Sequence, residues 1–321
     1  MSRVQRTPGE LFEAATAGDR AALARLLSLV ERGGDGARDV ARLAAPCVGT
    51  AYTIGLTGAP GAGKSTLTSA TIRHLRGTGD EVAVLAVDPS SPFTGGAILG
   101  DRVRMQDHAT DPGVFIRSMA TRGHLGGLAL ATPEAIRLLD AIGQRWIIVE
   151  TVGVGQVEVE VAGKADTTVV VVTPGWGDSV QANKAGLMEV ADVFVINKAD
   201  RSGVEQTRRD LLQMLELSAE TAAPGDGGGW QVPILATVGS SGDGVAALWD
   251  MILAHREHAA ASGELERRRR FRLGEELRAI IARRLEQRAR DVCTGARWDE
   301  LTAAVLAGDV DPWTAADEML G

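Results

Sequence analysis

The sequence predicts an α/β fold, a mostly parallel sheet with helices on both faces, set between an N-terminal helical extension and a C-terminal helical arm. Three observations predict it. Between about residues 50 and 250, seven short β-branched runs alternate with helical stretches. The runs are continuously apolar rather than alternating, which requires burial on both faces and hence a parallel sheet covered by helices on each side. After about residue 255 the strand signals stop and only helical periodicity remains.

Residues 1–45 are rich in Ala, Leu and Arg. Leu11, Phe12, Ala15, Ala22, Leu23, Leu26 and Leu27 recur at helical spacing between the breakers Gly18-Asp19 and Gly33-Gly34. Residues 46–256 carry the strand runs: Tyr52 to Leu56, Val82 to Val87, Val114 to Ile116, Trp146 to Val149, Thr168 to Val172, Val193 to Ile196 and Val232 to Leu235. Residues 257–321 form the arm, where Leu273, Leu277, Ile280, Ile281, Leu285 and Val292 make an apolar stripe on one long helix. Beside that stripe stands Arg267-Arg268-Arg269-Arg270. From 267 to 290 ten Arg oppose Glu275, Glu276 and Glu286, a local charge of +7. Such a face suits an acidic partner, a second subunit or nucleic acid, or is simply solvated beside a packing stripe.

Composition narrows the classes. The 321 residues are 45% apolar and 24% charged, and 34 basic against 42 acidic side chains give −8, which excludes a disordered chain and a global nucleic-acid footprint. Glycine, at 39 residues or about 12% against a usual 7%, points to backbone-shaped loops. Cys47 and Cys293 stand far apart, outside any CxxC or Cys/His cluster, so neither a disulfide framework nor a zinc site is expected. No apolar run approaches the roughly 18 residues of a membrane span, and no signal or transit peptide is read near Arg3, Arg6, Glu10 and Glu13. A cytoplasmic protein with no membrane and no nucleic-acid partner is the expectation. Only four of the 34 cations are lysines: Lys64, Lys164, Lys184 and Lys198. In a chain that otherwise uses Arg, each one raises the question of what an ammonium does there that a guanidinium does not.

Lys64 answers it first. The strand from Tyr52 runs into Gly58-Ala59-Pro60-Gly61-Ala62-Gly63-Lys64-Ser65-Thr66 and then into a helical pattern, a complete phosphate-binding loop in its strand, loop and helix context. The predicted fold is therefore a P-loop NTPase. Loop amides and the helix N-terminus would cradle phosphate, Lys64 would bridge the β/γ oxygens, and the Ser65 hydroxyl would ligate Mg²⁺. Lys198 lies in Asn197-Lys198-Ala199-Asp200, straight after a strand. The Asp200 carboxylate there can accept two hydrogen bonds from guanine, a pairing adenine does not offer, so GTP and GDP are favoured over adenine nucleotides. Glu150 and Gly153, in Glu150-Thr151-Val152-Gly153, occupy the place where an acid holds Mg²⁺ and a Gly amide meets the γ-phosphate. Asp88, Asp101 and Glu150 thus offer three acids for one hard cation.

A strand-end Asp-Pro such as Asp88-Pro89 is typical of the nucleotide-dependent dimerising class that includes signal-recognition GTPases, nitrogenase iron protein and nickel-insertion GTPases. A closer resemblance rests on longer strings: Asp88 to Ser91, Thr94 to Met105, Phe115 to Gly127, Glu150 to Gln156, Pro174 to Asp178 and Asp311 to Ala316. Over essentially its whole length the chain resembles the MeaB/ArgK family of GTPases. The resemblance implies a homodimeric GTPase that gates cofactor delivery to an adenosylcobalamin-dependent acyl-CoA mutase, usually methylmalonyl-CoA mutase, and protects or rescues that enzyme. It further implies a first switch from Asp88 to Asp101, a second from Glu150 to Gln156, and a third from Asp178 to Lys184 in which Asp178 and Lys184 couple partner binding to hydrolysis. The C-terminal helices would form the dimer arm. One departure stands out, since the Ser-Ala that meets guanine in relatives aligns with Val238-Gly239 here. The Gly239 N–H can still serve the guanine carbonyl.

Catalysis is then expected from Lys64, Asp88, Asp101, Glu150, Asp178 and Lys184 through positioning and charge neutralisation. Val154, not Gln, follows Gly153, so a slow intrinsic rate raised by the partner is expected. Cobalamin chemistry should belong to the client. The competing readings are a metallochaperone of the nickel-insertion class, for which the five His and two Cys are too scattered, a transport-linked ATPase or kinase, and a nucleotide-gated binding module with negligible turnover.

Overall fold

A computed structural model describes residues 6–88, 106–108, 110–120, 125–151, 164–176, 187–221 and 229–320. Seven strands form one sheet in the order β3-β2-β4-β1-β5-β6-β7: β1 Tyr52–Gly58, β2 Val82–Asp88, β3 Val114–Ala120, β4 Trp146–Thr151, β5 Thr167–Val172, β6 Val193–Asn197 and β7 Ile234–Thr237. Every neighbouring pair is parallel. The order reverses at β1, which lies between β4 and β5, so loops leaving these strands at their carboxyl ends diverge and open a crevice there.

Successive side chains point to opposite faces. One face packs Ile54, Val84, Ile148 and Val195 against α4 (Lys64–Gly77) and α7 (Val245–Ala261). The other packs Leu85, Ile147 and Val149 against α5 (Leu125–Ala141) and the N-terminal helices α1 (Pro8–Thr16), α2 (Arg20–Arg32) and α3 (Gly34–Ala44). Leu26 and Leu27 are wholly buried there, so the helical extension shares a core with the sheet. The predicted breakers mark real ends: Gly18 takes φ 94°, and Asp19 caps α2 by accepting from the N–H groups of Ala21 and Ala22. Farther along the same face, Phe194, Ile196 and Leu211 bury α6 (Val204–Thr221).

All seven strands depart from their predicted bounds by at least one residue, and two of the departures have a visible cause. β3 continues through Arg117 to Ala120, beyond the predicted end at Ile116, because Arg117 is neutralised in place. Its Nε and Nη2 donate to Glu31 at 3.0 and 2.7 Å, and Nη2 also donates to Ser28. β7 starts two residues later than predicted, after Pro233, which has no N–H for the ladder but whose carbonyl still accepts from Phe194 N.

The arginine run resolves into two kinds of residue. Helix α8 (Glu264–Val292) starts beside the amino end of the sheet. Arg269 donates Nε and Nη2 to the two oxygens of buried Asp166 at 3.0 and 2.6 Å, and Arg268 donates to buried Asp192 at 2.8 Å. Arg267 and Arg270 pair with Glu264 and Glu266 on the surface. Half of the run is therefore an inward anchor rather than a face for an acidic partner or nucleic acid. Tyr52 Oη and His255 Nδ1 both hydrogen-bond Thr167 Oγ1 in the same layer. Burial and the nearby Asp166 and Asp192 charges push the Tyr52 phenol up to about 12, the Thr167 hydrogen bond opposing them.

The chain divides into two compact units, residues 1–270 and 271–321. In the second, α9 (Ala296–Ala307) and α10 (Pro312–Leu320) bury Leu301 and Ala315, and Asp311 caps α10 through the N–H groups of Trp313 and Thr314. Leu273, Leu277, Ile281 and Leu285 form an exposed stripe on α8, each at least half exposed.

Candidate functional site

The phosphate loop leaves β1 at Gly58, where φ is 136° and an added Cβ would sit 2.0 Å from the Val171 carbonyl oxygen on β5. Only glycine passes there. Gly63, at φ 85°, caps α4 without a side-chain bond, which leaves the first-turn N–H groups of the helix facing the loop. Lys64 is buried, and its Nζ donates to the Gly58 and Ala59 carbonyls at 2.6 and 3.1 Å. The ammonium thus sits across the mouth of the loop. Ser65 Oγ donates to Glu150 Oε1 at 2.5 Å, and Glu150 is 1% exposed at the end of β4. A hydroxyl and a buried carboxylate side by side are a hard-oxygen donor pair, the kind Mg²⁺ takes together with water and nucleotide phosphates.

Asn197 joins this loop to the far side of the crevice. It is 2% exposed at the end of β6, and its Nδ2 donates to Ala62 O at 2.8 Å and Gly63 O at 3.3 Å. Its Oδ1 accepts from Thr237 Oγ1 at 3.1 Å and Gly239 N at 3.0 Å. Among the described residues Lys198 is the sole non-glycine with positive φ, 60°, and the turn sends its Nζ back to Gly61 O at 2.6 Å. Together these segments line an open cavity of about 190 Å³. Its lining comes from the phosphate loop and first turn of α4 (Gly63 and Thr66), from the segment after β6 (Asn197, Lys198, Asp200 and Arg201) and from the segment after β7 (Val238, Gly239 and Ser240). An Asp carboxylate and backbone N–H groups in one lining supply the acceptor and the donors that a guanine edge requires.

Comparison with known proteins agrees with this geometry. A family model described as "Methylmalonyl Co-A mutase-associated GTPase MeaB" matches residues 23–294. The chain belongs to the MeaB family of GTPases. Within it, GTPase ArgK of Escherichia coli is 40% identical over 265 residues, 81% of this chain and 80% of that one. The mouse mitochondrial methylmalonic aciduria type A homolog is 34% identical over 285 residues, 83% of this chain and 67% of its own. A Pyrococcus abyssi protein that carries a GTPase name is 50% identical over 97% of this chain and 95% of that one. Among solved structures, one described as a LAO/AO transport system kinase aligns over 99% of this chain and 98% of its own, with a TM-score of 0.69 and 28% identity.

For this MeaB-family chain, the structure brings Gly58 to Thr66, Glu150, Asn197, Lys198, Asp200, Val238 and Gly239 to one rim of the sheet. The backbone of Asp88 ends β2 on the same side, while its carboxylate lies outside what is described. Asp101, Gly153, Asp178 and Lys184 fall outside the described residues, as do most of the three expected switches. Three participants were not singled out from sequence. Thr237 orients Asn197 from the next strand, and Arg201 and Ser240 line the cavity. For Arg201 the signal was adjacency to Asp200; for Thr237 only the fold supplies it.

Proposed function

We propose that this chain binds GTP and GDP with Mg²⁺ and hydrolyses GTP to GDP and phosphate. Acting as a cytoplasmic homodimer, it gates adenosylcobalamin loading of an acyl-CoA mutase, most directly methylmalonyl-CoA mutase, and protects or reactivates that enzyme. The observation that carries the nucleotide half is Asn197, which ties the phosphate loop to the Gly239 N–H beside a cavity that Asp200 and Gly239 both line. Bound nucleotide phosphates would take the place of the Gly58 and Ala59 carbonyls at Lys64, whose ammonium then neutralises the β/γ oxygens. Ser65 and Glu150 would hold Mg²⁺, with Asp88 and Asp101 as further acids of the set. Bound there, the ion supplies charge neutralisation between the phosphates.

The client half is supported by the printed description of the family and by the mouse relative's name. The homodimer is supported by the exposed stripe on α8, an apolar surface that a second copy would cover. Partner binding would act through Asp178 and Lys184. The test is GTP turnover with and without methylmalonyl-CoA mutase, for wild type and Lys184→Ala. Stimulation of the wild type alone is expected, and equal stimulation of both removes Lys184 from the coupling role. The solved relative described as a transport system kinase keeps an ATP-driven reading in view. Competition of bound GTP by ATP or GDP decides between them, with displacement by GDP alone expected.

A further inference from the structure

Of the side chains lining the base cavity, only Lys198 and Arg201 have long stems. The Lys198 ammonium is committed to the Gly61 carbonyl at 2.6 Å, which holds its stem in the lining. Val238, Gly239 and Ser240 bring only short side chains to the lining. Arg201 is exposed, its backbone N–H closes a turn onto Lys198 O at 3.0 Å, and among the described residues its guanidinium makes no ion pair or hydrogen bond. A base bound in the cavity would therefore have one face covered by Lys198 and the other open to water, with an uncommitted planar cation at the rim.

We propose that Arg201 is an outer clamp for the base, its guanidinium closing flat over the purine face left open by the short side chains of Val238 to Ser240. A delocalised guanidinium is weakly hydrated and stacks on aromatic rings, which an ammonium does less well. The clamp acts on the base and not on the phosphates, so it raises affinity for GDP and GTP equally. Guanine selectivity stays with Asp200. This inference rests on the guanine-nucleotide reading of the site.

The test is calorimetric titration of wild type, Arg201→Ala and Arg201→Lys with GDP, ADP and a non-hydrolysable GTP analogue, at low and high NaCl. Arg201→Ala is expected to weaken GDP and the GTP analogue alike by about three- to thirtyfold, and the loss should persist at high salt. Arg201→Lys should recover only part of it. The melting temperature without nucleotide should not change. Unchanged affinity in Arg201→Ala overturns the clamp. So does a loss that grows from GDP to the GTP analogue and fades with salt, because that marks a phosphate contact. A fall in the nucleotide-free melting temperature also overturns it, by assigning Arg201 a structural role. If wild type binds ADP as tightly as GDP, the guanine reading itself fails; if it prefers GDP while Arg201→Ala is unaltered, only the clamp fails.

Discussion

Asn197→Ala is the substitution in which structure and nucleotide affinity are most tightly linked. The amide is 2% exposed and holds three segments together, and three of its four hydrogen bonds are 3.1 Å or shorter. Alanine leaves the Ala62 carbonyl and the Gly239 N–H without this partner in a buried place, where each lost bond costs about 1 kcal/mol. Three such bonds make about 3 kcal/mol. None of them belongs to the sheet ladder, so the cost falls on the ordering of the phosphate loop and the cavity lining, which nucleotide binding requires. At about 1.4 kcal/mol per decade, GDP affinity should drop by roughly two orders of magnitude, read by titration of a fluorescent GDP. Asn197→Asp should lose at least as much, because a carboxylate would face the Ala62 and Gly63 carbonyls without a proton to donate. If Asn197→Ala binds GDP within threefold of wild type, Asn197 does not organise the site and the reasoning fails.

Neighbours in the arginine run should behave oppositely. Arg269→Ala removes both guanidinium bonds to the buried Asp166 carboxylate and should cost about 3 kcal/mol in denaturant unfolding. Arg270→Ala breaks a pair whose side chains are 81% and 78% exposed, and should cost no more than about 0.5 kcal/mol; equal small losses would refute the inward anchor. Tyr52 is the single tyrosine, so phenolate absorbance reports it alone. The native protein should stay un-ionised until about 12, while the unfolded chain titrates near 10. Because the folded value is the higher one, this contribution to stability is complete below pH 10 and is lost as pH rises through about 12. Phenolate appearing near pH 10 in still-folded protein would contradict the burial of β1. Glu150→Gln should raise the Mg²⁺ concentration for half-maximal GTP turnover by about 10- to 100-fold, and an unchanged Mg²⁺ dependence would remove Glu150 from the ion's ligand set.

The strands and the phosphate loop were legible in the sequence because their physics is local. A continuous Val/Ile run such as Val169 to Val172 reports two-sided burial by itself, and Gly58 to Thr66 carries its own backbone requirement. What stayed hidden depends on contacts between distant residues. Arg117 reads as a strand breaker until Glu31, 86 positions earlier, is folded against it. Arg268 and Arg269 read as surface charge because Asp192 and Asp166 lie 76 and 103 positions away. The site shows the same division. Asn197 and Asp200 were identified by a motif of four residues, whereas the role of Asn197 as a tie to Ala62, Thr237 and Gly239 exists only once β6 and β7 flank the loop. The order of the sheet, which inserts β4 between β2 and β1 and so sets Glu150 against Ser65, is likewise absent from any local pattern.

Phosphate release from GTP and from ATP by the purified chain, with and without Mg²⁺, tests the central claim most directly. The account predicts slow, Mg²⁺-dependent release from GTP that Lys64→Ala abolishes, with ATP neither hydrolysed nor able to compete. Release from ATP at an equal or greater rate, or GTP hydrolysis that survives Lys64→Ala, would contradict it.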